Sequence, residues 1–318
     1  MALKKILIAG TGQLGSRYLQ GLALYKEPIE IWLQDPSENA IQVALDRWTA
    51  VVKENCPHQI KVSGSGDNPP ETFDLAIVST NADIRPVVTS AIARQHEVRN
   101  WLLEKVLAQS ETGINQIIRA TNGRPAWVNT PLHLWSLFSN LRGALKKQSP
   151  IQAFIDNFEG LACSSIHFID YIARCNHSQV VNIDASRLHP QWVEAKRTGF
   201  MEVNGELRVD FSDGSTLCLK GGRDAPYYHN AKISCNREVW EVNLQEGLAM
   251  SDAGRQVKGR AEFQSELTAS ILESIFTSGT CGLPTLVESA TQHEKLLSAL
   301  LSHYSKWKGV TTESVPIT

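Results

Sequence analysis

The residues with the clearest chemical spacing lie between positions 6 and 35. The apolar run Ile6 to Ala9 stops at Gly10-Thr11-Gly12-Gln13-Leu14-Gly15, an amphipathic stretch follows, and a second apolar run ends at Asp35. Strand, glycine turn, helix and acid in that order predict a dinucleotide site. Gly10 allows the tight turn out of the strand. Gly12 has no Cβ, so a pyrophosphate can approach the backbone. Gly15 lets the helix lie close to the strand. The helix N-terminus adds free N–H groups and partial positive charge for the phosphates. Asp35 stands 20 residues past Gly15, where a carboxylate reaches the ribose hydroxyls of an adenosine and repels a 2′-phosphate. No arginine occupies Pro36, Ser37 or Glu38 to receive such a phosphate. The expectation is therefore NAD rather than NADP.

These residues need a scaffold, and composition bounds it. A chain of 318 residues with 42% apolar content can bury two cores. The net charge of −2 comes without a long basic run, which argues against nucleic acid as a partner. No stretch reaches the roughly 20 apolar residues of a membrane span. Lys4 and Lys5 precede too short an apolar run for a secretory leader. The six cysteines are dispersed with no CxxC pair, so no metal site and no disulfide framework are expected, and the location expected is the cytoplasm.

Strand and helix patterns alternate through the first 130 residues. Phe73 to Val78 reads as a strand ending at Ser79-Thr80-Asn81, and Ile84 to Arg94 as a helix with Pro86 in its first turn. Trp101-Leu102-Leu103 reads as a buried strand leading into Glu104-Lys105, Ile114 to Ala120 as a helix, and Ala126-Trp127-Val128 as a last strand before Asn129. This alternation predicts a parallel sheet with helices on both faces, its polar residues gathered at the strand C-termini where ligands bind. After about residue 148 the pattern changes. A strand from Ile151 to Ile155 leads to a helix with His167 and Asp170, then come short β patterns at Val180 to Ile183, Phe200 to Val203, Leu207 to Phe211, Leu217 to Leu219 and Val239 to Val242. Asn204-Gly205 and Asp213-Gly214 read as hairpin turns. Two helices, Arg260 to Thr277 and Leu286 to Trp307, close the chain, and the tail after Gly309 reads as disordered. The expectation is an α/β chain of two domains, 1–128 and 129–318, the second an α+β domain on an open, largely antiparallel sheet.

The order GTGQLG–Asp35, STN (Ser79, Thr80, Asn81), Glu104-Lys105, His167-Phe168-Ile169-Asp170 and GLPTLVESATQH (Gly282 to His293) resembles the glucose–fructose oxidoreductase, inositol dehydrogenase and rhizopine-catabolism (Gfo/Idh/MocA) family. The resemblance spans almost the whole chain. It implies an N-terminal Rossmann domain, a C-terminal open-faced sheet, and NAD(P)-dependent redox chemistry on sugars, cyclitols or related compounds. Lys105 matches the lysine of the family's Glu-Lys-Pro signature, with Val106 in place of the proline. The family's Asp-x-x-x-His pair falls on Cys163 and His167, so the histidine matches and the aspartate does not.

Those positions suit the chemistry. Oxidising a carbinol needs a hydride acceptor, a base for the hydroxyl proton and a stabiliser for the alkoxide. Lys105 at a strand end could hold the reacting oxygen, and an imidazole at His167 could exchange the proton. The expected arrangement brings both beside the nicotinamide across the cleft between domains. Asp170, one turn beyond His167, could orient the ring or contact substrate. A solvated strand-end lysine and a core histidine are the ordinary alternatives for the pair. The segment Gly221 to His229 combines flexible backbone, Arg223 and Tyr227, and could clamp a sugar-like or anionic substrate or serve as a hairpin or subunit contact. An open sheet would leave an apolar face in water, so strands around Phe200 to Leu219 and Val239 to Val242 are expected to pair with a second copy, as a homodimer or a dimer of dimers. Three functions fit: an oxidoreductase of a sugar, sugar derivative or nucleotide sugar; an imine (C=N) reductase; or a non-catalytic dinucleotide-binding regulatory protein.

Overall fold

The computed structural model describes residues 3–66, 68–225 and 230–318. Along the chain run β1 (Lys4–Ala9), α1 (Gly15–Leu22), β2 (Ile29–Gln34), α2 (Glu38–Thr49), β3 (Gln59–Val62), β4 (Thr72–Phe73), β5 (Leu75–Val78), α3 (Arg85–Gln95), β6 (Glu97–Val98), β7 (Trp101–Glu104), α4 (Glu111–Thr121) and β8 (Ala126–Asn129). A 3-10 turn (Pro131–Leu134) and α5 (Ser136–Ala144) precede β9 (Ile151–Glu159) and α6 (Leu161–Cys175). Then come β10 (Val180–Glu194), β11 (Met201–Phe211), β12 (Thr216–Gly222), β13 (Asn230–Cys235), β14 (Glu238–Asn243), β15 (Leu248–Ser251) and β16 (Gln256–Lys258). Helices α7 (Gln264–Ser278) and α8 (Leu286–Lys308) follow.

Two compact units result. The first comprises 1–108, 112–129 and 262–287, the second 109–111, 130–261 and 288–318. The main chain leaves the first unit briefly at 109–111, leaves it again at 129/130, and returns at 262–287 so that α7 packs in the first unit. Gly21 on α1 makes that packing close, since a Cβ there would meet Ser265 O at 2.6 Å and Thr268 Cβ at 2.7 Å.

The first unit is built on a parallel sheet ordered β3-β2-β1-β5-β7-β8. Its central strands are apolar on both faces because helices cover both, and Ile6, Leu7, Ile8, Ile31, Trp32, Leu33, Ile77 and Trp101 are buried. The order reverses direction between β1 and β5, which places a ligand crevice outside the C-terminal ends of those two strands. The run Phe73 to Val78 is split at Asp74, whose carboxylate accepts the Lys5 N–H at 2.9 Å and pairs with Lys4 and Arg99. Helix α2 starts on Ser37, whose hydroxyl accepts the Ala40 N–H.

The second unit carries an eight-stranded mixed sheet ordered β10-β11-β12-β9-β13-β14-β15-β16, antiparallel except for the parallel pair β9–β12. Helix α6 packs on β9, β11 and β12, over buried Ile155, Val203, Leu207, Val209, Leu217 and Leu219. Its first turn is capped from the sheet: the buried Glu202 carboxylate accepts the N–H groups of Ala162 (2.8 Å) and Cys163 (2.9 Å).

Four expectations need correction here. Asp213-Gly214 does turn β11 into β12, but Asn204-Gly205 lies inside the single strand β11. Gly205, at φ 124°, sits where a Cβ would strike the backbone of Arg187 and Leu188, beside register irregularities of β10. The glycine answers a close strand approach, not a turn. Gly221 and Gly222 are likewise the end of β12, paired with β9, where a side chain would collide with Phe158 and Asn204; they are not flexible loop. The tail after Gly309 is ordered, because Val315 and Ile317 are fully buried and the backbone bonds Val315 N to Gln109 O and Met201 N to Pro316 O tie it down. Finally, the sheet face away from α6 is not an apolar patch. Phe154 and Met250 are exposed there, among the ion pairs Arg187–Glu206, Arg208–Glu206 and Lys232–Glu241.

Candidate active site

In the first unit the three glycines of the turn after β1 have separate steric reasons. Gly10 takes φ +88°, and a Cβ on it would press on Thr80 at 3.0 Å. A Cβ on Gly15 would collide with the Gly10 carbonyl and meet Ser79 Oγ at 2.7 Å. Gly12 is exposed and a Cβ on it would meet nothing within 4 Å, so its bare backbone faces open space. These are the turn, the close helix contact and the open approach that a pyrophosphate cradle needs.

The neighbouring strand ends hold the cradle. Ser79, after β5, donates its hydroxyl to Gly10 O at 2.6 Å. Asp35, after β2, accepts the Thr11 N–H at 2.7 Å and the Ser37 N–H at 2.9 Å, so each carboxylate oxygen is aimed by one backbone donor and keeps acceptor capacity. Thr11 and Thr80 both hold a buried hydroxyl with no partner among the described residues. The Asn81 backbone carbonyl accepts the Arg85 N–H at 3.0 Å, in the turn that leads into α3.

Lys105 follows directly on β7 and is partly exposed, and the Lys105–Val106 peptide bond is cis. Glu104 beside it is buried, accepting from Tyr18 (2.5 Å) and Asn129 (2.7 Å). Burial raises its carboxyl above the usual range, against the pull of those two hydrogen bonds and of the Arg85 and Lys105 charges. Glu104, expected at the cofactor, is thus turned into the interior.

Sequence reasoning passed over two arginines here. Arg85 is 1% exposed, and its guanidinium donates to the carbonyls of Thr80, Val106 and Leu107, joining the turns after β5 and β7. A cation in the first turn of a helix opposes the dipole, which is the signal that could have marked it. Arg47 on α2 reaches the glycine loop itself, donating to Gln13 Oε1 at 2.9 Å, to Gln13 O at 3.3 Å and to Ser16 Oγ.

In the second unit, Cys163, Ser164 and His167 form the partly exposed stripe of α6. Asp170 is on the same helix but fully buried. Its carboxylate accepts from Thr130 at 2.8 Å and Gln292 at 3.4 Å and lies 3.8 Å from Arg174. Burial pushes it up to about 7, against those three partners. His133, also buried, is held down to about 3 by burial and by the charges of Arg174 and Arg142. Arg142 donates to its Nδ1 at 3.2 Å, which puts the ring proton on Nε2. Arg223 donates its N–H to Asn204 and its guanidinium to Asp224, in the turn after β12. Tyr227 lies outside the described residues.

No protein-family model matches the chain, and no curated protein matches it. Solved structures do. The UDP-N-acetylglucosamine 3-dehydrogenase of Acidithiobacillus ferrooxidans superposes with a TM-score of 0.67 at 12% identity, over 97% of this chain and 99% of its own. An oxidoreductase from Agrobacterium radiobacter, solved with NAD+, L-tartaric acid and magnesium, gives 0.69 at 13% identity, over 98% of each chain. Biliverdin reductase of Synechocystis, solved with biliverdin and NADP+, gives 0.68 at 13%, over 93% and 98%. At these identities the likeness is one of fold: the chain has the architecture of the Gfo/Idh/MocA-type oxidoreductases that its motifs resemble.

Proposed function

We propose that this protein is an NAD-dependent oxidoreductase acting on the carbinol or carbonyl carbon of a sugar, sugar derivative or nucleotide sugar. The observation that carries the reading is the cradle at the β1–β5 reversal, where Gly12 faces open space between the fixed turn at Gly10 and the close contact at Gly15. Neighbours of the same fold solved with NAD+ or NADP+ support a nicotinamide dinucleotide there. The UDP-N-acetylglucosamine dehydrogenase among them supports a sugar-like substrate.

The residues present fit such a cofactor. Gly10 to Gly15 hold the pyrophosphate, with the N-terminus of α1 behind it. Asp35 takes the adenosine ribose hydroxyls, its oxygens already aimed by Thr11 and Ser37. Ser79, Thr80 and Asn81 line the adjoining strand end. The nicotinamide, when bound, supplies or accepts the hydride. Lys105 holds the reacting oxygen and offsets its charge as it becomes an alkoxide. His167 takes or gives the hydroxyl proton. Cys163 has no chemical step: its thiol lies 3.4 Å from Ser164 Oγ.

Fluorescence titration with NADH, followed by a turnover screen of sugars, sugar acids and nucleotide sugars, tests this. Saturable NADH binding and steady turnover of one of them is expected. Lys105→Ala should leave NADH affinity nearly unchanged and lower turnover by roughly 10²–10⁴-fold, and His167→Ala should do the same. Full activity in Lys105→Ala would remove the carbinol mechanism.

A further inference from the structure

We infer that Arg47 is a positioning residue for the dinucleotide: it latches the glycine loop in the shape that receives a pyrophosphate. The inference rests on the dinucleotide reading above and deepens it.

The geometry starts with one peptide unit. The carbonyl of Gln13 accepts from the Arg47 guanidinium at 3.3 Å and from Ser16 Oγ at 3.1 Å. Arg47 also binds Ser16 Oγ directly, and its second terminal nitrogen holds Gln13 Oε1 at 2.9 Å. Both oxygens of Gln13 are thereby drawn to the side of α2. A trans peptide sets its N–H opposite its C=O, so the Leu14 N–H of the same unit is turned away from Arg47 and Ser16. That N–H has no partner among the described residues. It lies in the segment where the first N–H groups of a helix are left for a ligand.

Without the latch, two things change together. The Gln13 carbonyl keeps only the Ser16 hydroxyl, so the Gln13–Leu14 unit swings more widely and scatters the donor, and the exposed Gln13 side chain can fold over the open backbone of Gly12. Restoring the order would then fall on the binding step. Arg47 sits ten positions into α2, far along the sequence from the loop, and one helical face delivers it: Ala44 and Trp48 bury that side of α2.

The latch acts on the pyrophosphate, which NADH, NADPH and ADP share and adenosine lacks. Titration calorimetry of the full chain with these four probes therefore reads it directly. Arg47→Met should weaken NADH, NADPH and ADP by one common factor, roughly ten- to a hundredfold for the loss of charge-assisted hydrogen bonds. Adenosine binding should not change. Arg47→Lys should recover part of the loss, and Gln13→Ala should make Arg47→Met smaller in the double variant, because the side-chain half of the latch is already gone. Unchanged NADH affinity in Arg47→Met, with NADH bound by the native protein, would overturn the latch alone. An equal loss for adenosine would overturn it too, as general damage to the unit. Failure of the native protein to bind NADH or NADPH would overturn the dinucleotide reading itself.

Discussion

Asp35 shows how a single side chain is prepared by its neighbours. Its two oxygens each take one backbone N–H, from Thr11 and Ser37, so the carboxylate arrives at the ribose position without rotamer freedom left to lose. A 2′-phosphate would meet that fixed negative charge. NADH should therefore bind more tightly than NADPH, and Asp35→Ser should narrow the ratio by roughly tenfold, the size of one charge-assisted hydrogen bond. Titration of both nucleotides checks this, and NADPH binding as tightly as NADH to the native protein would sink it. At this scale the glycine turn was legible, because the steric roles of Gly10 and Gly15 follow from local backbone geometry. Arg47 and Arg85 were not read, because the groups they bind, on the glycine loop for Arg47 and on the turns after β5 and β7 for Arg85, are brought to them only by the fold. The burial of Glu104 was not legible for a related reason: its neighbours Tyr18 and Asn129 are brought to it only by the fold.

Helix α6 and the 3-10 turn before α5 bury two ionisable groups whose effects on stability oppose each other. Asp170 rises from 3.8 to about 7 in the folded protein. It keeps a proton that the unfolded chain has lost, so its contribution is full below 3.8 and is lost as pH rises to about 7. His133 falls from 6.5 to about 3. The unfolded chain then holds the extra proton, so its contribution is present above 6.5 and is lost as pH falls. Between pH 4 and 6.5 the two slopes cancel, each at most about 1.4 kcal/mol per pH unit. Urea unfolding midpoints of the native protein should be nearly flat there on account of this pair. Asp170→Asn should leave a midpoint that rises with pH, and His133→Gln one that falls. Parallel curves for the two variants would refute the assignment. A helix carrying His167 and Asp170 was legible in the sequence, yet two local signals misled. Asn204-Gly205 and the polar tail after Gly309 were read by composition, whereas a β10 backbone crowding Gly205 and a buried slot for Val315 and Ile317 decided their structure.

Across the molecule the open face of the second sheet remains to be accounted for, and we propose that it pairs with a second copy about a two-fold axis. The expected driving force was an apolar patch, but the residues give a different one. Register places Asp184, Arg208, Cys218, Phe154, Lys232, Glu241 and Met250 in one row across seven strands. Charges of both signs surround a central Phe154 that is 39% exposed. Such a row is self-complementary, since a two-fold axis through Phe154 sets Arg208 of each copy against Glu241 of the other. Eight strands at about 4.8 Å spacing and roughly 20 Å length offer roughly 700 Å², close to the ~800 Å² per partner of a stable interface. Light scattering at micromolar concentration should then give twice the chain mass of 35.2 kDa. The particle should loosen as salt screens the charged row, and Phe154→Asp should yield a folded monomer, because it puts an unpaired carboxylate at the centre of the contact. A native protein that scatters as a 35.2 kDa monomer would dismiss the interface and leave Phe154 and Met250 as solitary exposed side chains of the kind every surface carries.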